Sequence, residues 1–375
     1  MNAHHSRRTV AASAALALSG VLAACGSSAS PGASGSTSPA PAGTASIRSA
    51  DGKVTLTNCG QEATYAAPVR KLFANDGNII SIALAAGARA ELSAVSSLER
   101  DKDVIALKYP GQLDGLNVVN AKYPTLENII AATPQVVFAG WGYGFSEAKN
   151  LTPDTLKGHG ISTYLLSESC RSGDGTKRGT IKPWDALAGD IAAIGALTGH
   201  DDVARAAVED IAQRRAALGA LPTPEKAPVV FLFDSGKDTV FSSGSFGAPQ
   251  AIIEAAGGTN ALSDVSNTWT KVAWERLTAA DPDVIAFVDY PPQTYDEKVA
   301  LLRANPASAH LKAVKEGRFV NLPYAMWTSG PLNIDAAEHL RQGLEHYGLA
   351  PKSSLRPGLD LTKLADLPGK GWLGQ

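Results

Sequence analysis

The strongest constraint on the fold is a sequence pattern that occurs once in each half of the chain. In residues 126–138 and again in residues 274–286, a glutamate starts a short helix, a proline ends it, and an apolar strand follows. The helix dipole favours a glutamate at a helix start, and a proline prevents the helix from continuing. A generic helix-to-strand turn also produces this pattern, but similar elements flank both copies. We therefore predict two related lobes.

Apolar segments of strand length alternate with segments of helical periodicity in both halves. Strands are predicted at 72–74, 91–95, 136–139, 162–166, 229–233, 284–288 and 319–322. Helices are predicted at 79–86, 126–132, 152–158, 184–197, 248–256, 275–280, 297–302, 309–315 and 334–346. This alternation is typical of an α/β fold in which helices cover mainly parallel sheets.

A long helical pattern separates the two halves. Val203, Ala207, Val208 and Ile211 recur at helical spacing within residues 201–218. Prolines shortly afterwards prevent the helix from continuing. The expected fold class is therefore α/β with two lobes, each a mainly parallel sheet flanked by helices, joined by one long α-helix.

The length and charge of the chain agree with two domains and exclude one class of partner. A chain of 375 residues exceeds what one hydrophobic core usually organises. We place the first lobe at 51–198, the connecting helix at 199–222 and the second lobe at 223–375. The net charge is −2 and no long basic run is present, so nucleic acid is not an expected partner.

The first residues have the pattern of an export signal. Arg7 and Arg8 precede an apolar stretch, residues 10–24, that is too short to span a membrane. The stretch ends in Leu22-Ala23-Ala24-Cys25-Gly26, which resembles a bacterial lipobox, although an ordinary cleavage site next to a chance cysteine gives the same sequence. We predict a lipoprotein signal peptide at 1–25 with lipidation of Cys25. Ser6-Arg7-Arg8 partly matches twin-arginine signals, so the export route stays open.

Residues 26–50 consist almost entirely of Ser, Ala, Pro, Gly and Thr. This composition buries too little apolar surface to fold, and we predict a flexible tether. The chain is therefore expected outside the cytoplasm, held at the outer face of the cell membrane by lipid alone.

Two cysteines remain once Cys25 is assigned to lipid. Cys59 and Cys170 form an even pair in an oxidising compartment, and a disulfide between them is the simplest interpretation. Two buried free thiols are the alternative. Both cysteines belong to the first lobe, so the bridge would not cross the cleft.

Residues 54–347 resemble the class of ABC-importer binding proteins that serves iron-siderophores, haem and vitamin B12. The resemblance rests on the lipobox, the opening segment 54–76 with Asn58-Cys59-Gly60, and the two glutamate-to-proline-to-strand units. The connecting helix and the Ser329-Gly330-Pro331 element before the last helix complete it. The resemblance implies one rigid helix between the lobes and a monomeric chain with no cofactor of its own.

The resemblance also implies a membrane partner. In that class, each lobe exposes a glutamate that docks onto arginines of the permease dimer, and Glu127 and Glu275 stand at the matching positions. The alternative is a carboxylate that only stabilises the start of its own helix.

A ligand site is expected where the loops that follow the strands converge, because ligands of open α/β sheets bind outside the carboxyl ends of the strands. Aromatic residues gather in these loops although they form only 6% of the chain. Each ring could instead close the end of a core, and Arg171 could merely cover the surface. Ligand contacts are predicted for Asp76, Trp141, Tyr143, Glu168, Arg171, Asp234, Phe241, Ser243, Tyr290, Tyr324 and Trp327.

No pattern in the sequence requires catalysis or a bare metal ion. The histidines after the signal segment are scattered, without carboxylates at ligand spacing. Ser146-Glu147-Ala148-Lys149 matches the Ser-x-x-Lys of penicillin-recognising enzymes, but no Lys-Thr-Gly follows. No catalytic residue and no metal ligand are therefore assigned.

The function expected from the sequence is a binding module of an ABC importer, and not an enzyme. It would capture a small chelate, namely a ferric siderophore, haem or corrinoid, between the lobes and deliver it to the permease. Two alternatives stay open: the same fold binding another cofactor precursor, and a surface-anchored hydrolase that uses the cleft.

Overall fold

The computed structural model describes residues 47–172, 175 and 177–373. The predicted signal peptide, Cys25 and nearly all of the predicted tether lie outside the described residues. At its described end the tether prediction was wrong: Arg48–Ala50 forms a strand, because its backbone pairs with Lys53–Thr55.

The first lobe is built around a parallel sheet whose buried strands consist largely of apolar residues. Its strands are β1 (Arg48–Ala50), β2 (Lys53–Asn58), β3 (Gln61–Ala66), β4 (Leu72–Asn75), β5 (Leu92–Ser96), β6 (Val118–Asn120), β7 (Val136–Trp141), β8 (Gly144–Phe145), β9 (Ser162–Leu165), β10 (Arg171–Ser172) and β11 (Lys177–Arg178). Its helices are α1 (Gly77–Ala85), α2 (Lys102–Lys108), α3 (Leu126–Ala132), α4 (Pro153–Gly158) and α5 (Pro183–Thr198). The parallel sheet has the order β6-β5-β4-β7, with β8 and β9 both paired to β7.

A helix of 19 residues, α6 (Asp201–Gly219), leads to the second lobe. The strands of that lobe are β12 (Val229–Phe233), β13 (Ser235–Gly236), β14 (Val240–Ser243), β15 (Thr259–Asn260), β16 (Trp269–Val272), β17 (Val284–Asp289) and β18 (Phe319–Pro323). Its helices are α7 (Ala248–Ala255), α8 (Trp274–Ala280), α9 (Tyr295–Ala304), α10 (Lys312–Lys315), α11 (Tyr324–Trp327) and α12 (Asn333–His346). The parallel sheet has the order β15-β12-β17-β18.

The expected fold class is therefore confirmed: two α/β lobes with mainly parallel sheets and one long connecting helix. Strands β12 and β17 are continuous apolar runs, as expected when helices cover both faces of a parallel sheet. The helices start where the sequence indicates, because Thr125 caps α3 and Thr294 caps α9, each in a capping box. An apolar cluster that includes buried residues of both lobes joins them into one body.

One predicted helix is shorter than expected. Residues 309–315 were expected to be helical, but α10 begins only at Lys312. Polar side chains hold the preceding segment in turns: Ser308 Oγ donates to the carbonyl of Leu302 (2.7 Å), and Asn305 Oδ1 accepts from the amide of Ala307 (2.9 Å). Such local side-chain bonds compete with helix formation.

The structure adds strands that were not predicted. Strands β1, β2 and β3 form an antiparallel sheet at the start of the first lobe, and β13, β14 and β16 form another in the second lobe. Strands β1 and β13 have only three and two residues, too few to show alternation. Strand β2 does alternate, with Val54 and Leu56 buried and Thr55 half-buried between them, but it was not assigned from the sequence.

The disulfide between Cys59 and Cys170 is confirmed. Cys59 and Gly60 form the turn between β2 and β3, and both have positive φ angles, 49° and 77°. The side chain of Asn58 pairs with both backbone groups of Leu165 at 2.8 Å, which attaches this hairpin to the end of β9. The bridge therefore joins two parts of the first lobe and does not cross to the second.

Candidate functional site

A cavity of about 200 Å³ lies between the lobes, next to the carboxyl ends of the parallel strands of both sheets. We call it the inner cavity. The first lobe contributes Arg100, Tyr123, Gly142, Tyr143 and Arg178. The second lobe contributes Asp234, Phe241, Trp269, Tyr290 and Tyr324. Two guanidinium groups and six aromatic rings therefore surround a small space.

Two buried carboxylates fix Arg100 in place. Its guanidinium forms ion pairs with Asp76 and with Asp101, the latter at 3.2 Å from Nε to Oδ2. The guanidinium carbon lies 3.7 Å from the centre of the Tyr324 ring, which belongs to the other lobe. This cation–π contact means that Arg100 also helps to join the lobes.

Burial dominates the electrostatics beneath Arg100. Burial raises the pKa of Asp76, although Arg100 and a hydrogen bond from the hydroxyl of Tyr123 (2.8 Å) act against it. Burial also raises the pKa of Asp101 to about 7, again with Arg100 acting against it. The positive charge of Arg100 is therefore what makes these two buried carboxylates tolerable.

The second lobe lines the inner cavity with the acidic side chain of Asp234, and the basic side chain of Lys298 is buried near the lining residue Tyr290. Asp234 accepts hydrogen bonds from the hydroxyls of Ser235 (2.8 Å) and Tyr290 (3.2 Å). Burial raises the pKa of Asp234, while its hydrogen bond with Ser235 and the charge of Lys298 lower it. The buried ammonium of Lys298 donates to the carbonyl of Val288 and lies 5.7 Å from the centre of the Tyr290 ring.

Arg178 reaches the inner cavity from strand β11. Its Nη1 donates to the carbonyl of Trp141 (2.8 Å), and its Nη2 donates to the carbonyl of Trp269 in the other lobe (3.4 Å). Both acceptors are uncharged. The buried carboxylate of Glu168 feels this charge, but no ion pair of Arg178 is found among the described residues. Arg178 is therefore better able than Arg100, with its two paired carboxylates, to bind an anionic group of a ligand.

Five of the predicted ligand contacts line the inner cavity: Tyr143, Asp234, Phe241, Tyr290 and Tyr324. Asp76 lies one layer deeper and acts through Arg100 and Tyr123. These residues were predicted separately for each lobe, because they follow the carboxyl ends of strands (the strand-end rule). The structure brings them together around one cavity.

The remaining predicted contacts do not line the inner cavity. Trp141 is covered by the guanidinium of Arg171 (3.7 Å), which is itself paired with the exposed Glu147. Trp327 is fully buried, and its Nε1 donates to the carbonyl of Phe287 (3.0 Å). These residues follow their strands as expected, but their side chains turn toward the surface or the core.

Two further predicted contacts are buried elsewhere. Ser243 donates to the carbonyl of Thr268 (3.2 Å), behind the cavity wall. Glu168 lies between the lobes, where it accepts from the indole of Trp269 (3.1 Å) and from the amide of Ser329 (3.1 Å). Burial raises the pKa of Glu168 to about 7, while Arg178 acts against this rise.

Besides Gly142, which has no side chain, the predicted contacts lack four lining residues: Arg100, Tyr123, Arg178 and Trp269. The strand-end rule applied to the predicted strand 91–95 would have found Arg100, which follows that strand closely. The other three follow or lie in the short strands β6, β11 and β16, which have no clear periodic signal.

A second chamber of about 610 Å³ adjoins the first at Arg100, which lines both. We call it the outer chamber. It also follows the ends of parallel strands, because Asp289 ends β17 and Pro323 ends β18. Helix α2 forms a further wall through Val104 and Leu107, and the C-terminal segment 363–367 covers the last side.

Glu127 and Glu275 occupy equivalent places in the two lobes. Each is exposed in the first turn of a short helix, α3 or α8, before an interior strand of its sheet, β7 or β17. The pKa of Glu127 is lowered by hydrogen bonds from its own amide and from Thr125. Both carboxylates are therefore available on the surface.

The chemistry of the site differs from that of common hydrolases and metal centres. Among the described residues, the lining of the inner cavity includes no serine, cysteine or histidine, and no group of three or more potential metal ligands is found. In the same part of the chain, no helix is long and apolar enough to cross a membrane.

The two lobes, the long connecting helix and the cleft at the strand ends together define a two-lobe binding protein. The chain belongs to the periplasmic binding protein family, whose sequence model matches residues 79–325. No curated protein matches the chain significantly. The family acts outside the cytoplasm and consists of binding proteins.

Solved structures show the same fold at low sequence identity. A periplasmic binding protein from Veillonella parvula superposes with a TM-score of 0.66 at 20% identity, covering 79% of this chain and 98% of that one. An ABC-type Fe3+-hydroxamate transport protein from Saccharomonospora viridis gives 0.62 at 20% identity, covering 77% and 98%. A periplasmic haem-binding protein from Pseudomonas aeruginosa gives 0.57 at 21% identity, covering 76% and 95%.

Proposed function

We propose that this protein is the solute-binding component of an ABC importer and that it captures a metal chelate between its lobes. The observation that supports this most strongly is the inner cavity, where side chains from both lobes surround one space at the strand ends. Aromatic rings supply apolar contact area at a low entropic cost, and Arg178 supplies a charge for an anionic group. The chelate would be a ferric siderophore, haem or a corrinoid.

The size of the cleft bears on how such a ligand binds. Small-molecule sites usually occupy about 300–1,000 Å³, so the inner cavity alone is small for a chelate. The outer chamber adjoins it at Arg100 and offers the additional room. A ligand of this size would therefore extend into the outer chamber, or would bind after the lobes separate.

Membrane attachment and docking complete the proposal. A lipid on Cys25 and the segment that links it to β1 would keep the loaded protein near its permease and raise the effective concentration. Glu127 and Glu275, exposed at equivalent places in the lobes, would contact arginines of the permease dimer.

Calorimetric titration of the purified protein with a ferric hydroxamate siderophore, haem and cyanocobalamin tests the ligand class. We expect one of them to bind with a 1:1 stoichiometry. Arg178→Ala is expected to weaken this binding at least tenfold, because a charge-assisted hydrogen bond is lost. Arg171→Ala, a matched loss of an arginine outside the inner cavity, should leave the affinity unchanged. Failure of all three chelates to bind would contradict the proposed ligand class.

The outer chamber is tested by filling it. Ala365 is exposed on its C-terminal wall, so Ala365→Trp adds a large ring to the chamber without disturbing the core. We expect the affinity for the chelate to fall about tenfold, because the ring occupies space that the ligand would otherwise fill. Each methylene group of the ligand that stays exposed to water costs about 0.8 kcal/mol. Ala279→Trp, on the exposed face of α8, is the control. Equal affinity of both variants would show that the ligand stays within the inner cavity.

Charge reversal at the two exposed glutamates tests docking. Cells carrying Glu127→Arg together with Glu275→Arg should lose most uptake of the bound chelate, since like charges would then face the permease. The purified variant should bind the chelate with unchanged affinity. Glu225→Arg, another exposed glutamate, is the control. Normal uptake by the double variant would contradict the docking role.

A further inference from the structure

Three side chains of the first lobe bind one segment of the second lobe. We call residues 324–330 the clasp segment. Asp101 Oδ1 accepts from the amide of Ala325 (3.1 Å), and Asn78 Nδ2 donates to the carbonyl of Ser329 (2.8 Å). Glu168 Oε2 accepts from the amide of Ser329 (3.1 Å). Both backbone groups of Ser329 are therefore bonded across the cleft.

These contacts lie in the buried interface between the lobes. The three side chains have exposures of 1% or less, and each comes from a different element of the first lobe. Gly330 allows the close approach, because a Cβ at this position would lie 3.3 Å from both Cβ and the carbonyl oxygen of Asn78. A buried polar group that loses its partner costs free energy, so these bonds favour the observed arrangement of the two lobes.

Glu168 is the side chain with the widest reach among the three. Its Oε1 atom accepts from the indole nitrogen of Trp269 (3.1 Å). The ring of Trp269 lines the inner cavity and stacks on Phe241. The Oε2 atom of Glu168 accepts from the amide of Ser329 in the clasp segment, which begins with the cavity residue Tyr324. One carboxylate therefore touches two separate parts of the second lobe, and each carries a wall of the cavity.

We propose that Glu168 is a positioning residue that fixes the arrangement of the lobes and orients Trp269 and the clasp segment around the inner cavity. It does not contact the ligand. The inference rests on the proposed function only in that the inner cavity is taken as the ligand site; the contacts themselves need no ligand.

The test uses the ligand-free full-length protein labelled with ¹⁵N. In Glu168→Gln, an amide of the same shape keeps one acceptor oxygen and replaces the other by a donor. We expect the signals of the Ser329 amide and of the Trp269 indole to move together. Hydrogen exchange at Ser329 should become about tenfold faster, since one interlobe hydrogen bond to a charged group is lost. A residue that only stabilised its own lobe would leave both second-lobe signals in place.

Asp190→Asn is the matched control. Asp190 is a fully buried carboxylate close to Glu168, but it bonds to Tyr164 (2.8 Å) and Ser167 (2.6 Å) within the first lobe. This variant should change first-lobe signals and leave the exchange rate of Ser329 unaltered.

A second variant keeps the test decisive if Glu168→Gln folds poorly. Gly330→Ala acts from the other side of the contact and should also accelerate exchange at Ser329. Unchanged Ser329 and Trp269 signals in the variants that fold would overturn the proposal. If these signals change while no chelate binds the wild type, the positioning role stands and the proposed ligand class fails.

Discussion

Replacing Arg100 by methionine is expected to lower the free energy of unfolding by about 3–5 kcal/mol, because it leaves buried carboxylates without their cation. Asp76 and Asp101 are at most 1% exposed, and both form ion pairs with this guanidinium. Methionine keeps much of the length and apolar surface of the side chain, so packing changes little. Chemical denaturation at pH 8 measures the loss. At this pH each carboxylate without its cation must either stay charged while buried or bind a proton from a dilute supply, and both cost free energy.

Arg171→Met is the matched control for this prediction. Arg171 also stacks on an aromatic ring and also pairs with a carboxylate, but its partner Glu147 is exposed. Exposed ion pairs contribute little to stability, so the free energy of unfolding of the control should be close to that of the wild type. Equal stability of the two variants would show that Arg100 is not needed to neutralise the carboxylates beneath it.

Removing the disulfide should have an effect of similar size. Cys59 and Cys170 are separated by 111 positions in the sequence, and closing so long a loop restricts the unfolded chain strongly. The double variant Cys59→Ala with Cys170→Ala is expected to lose about 2–5 kcal/mol of unfolding free energy. Denaturation of the oxidised wild type, the reduced wild type and the double variant gives this number.

The two ways of removing the bridge serve as controls for each other. Reduction keeps both sulfur atoms, whereas the alanine variant also leaves their space empty. The reduced wild type should therefore be as stable as the alanine variant or slightly more stable. Neither cysteine lines the inner cavity, so we expect ligand affinity to change much less than stability in both. A double variant as stable as the oxidised wild type would contradict a stabilising bridge.

The sequence was sufficient to predict the parallel sheets and the connecting helix. Strand β12 and helix α3 have the bounds that were expected, because a continuous apolar run and a capped amphipathic segment are strong local signals. Helix α2 was not predicted, since only Val104 and Ile105 are buried in it and so short a pattern has no periodicity to detect.

The candidate site was predictable in part. Tyr290 and Tyr324 follow long apolar strands, so the strand-end rule found them. Trp327 obeyed the same rule but turned into the core, and Arg178 lies on a strand of two residues that no pattern marks. Side-chain direction and short irregular strands depend on tertiary contacts, such as the bond from Trp327 to Phe287, which local sequence patterns do not show.

A crystal structure of the protein with its bound chelate tests the central claim most directly. The account predicts ligand density between the lobes, in contact with Arg178 and with the rings of Tyr290 and Tyr324. Ligand density on an outer face of either lobe, with the inner cavity containing only water, would contradict it.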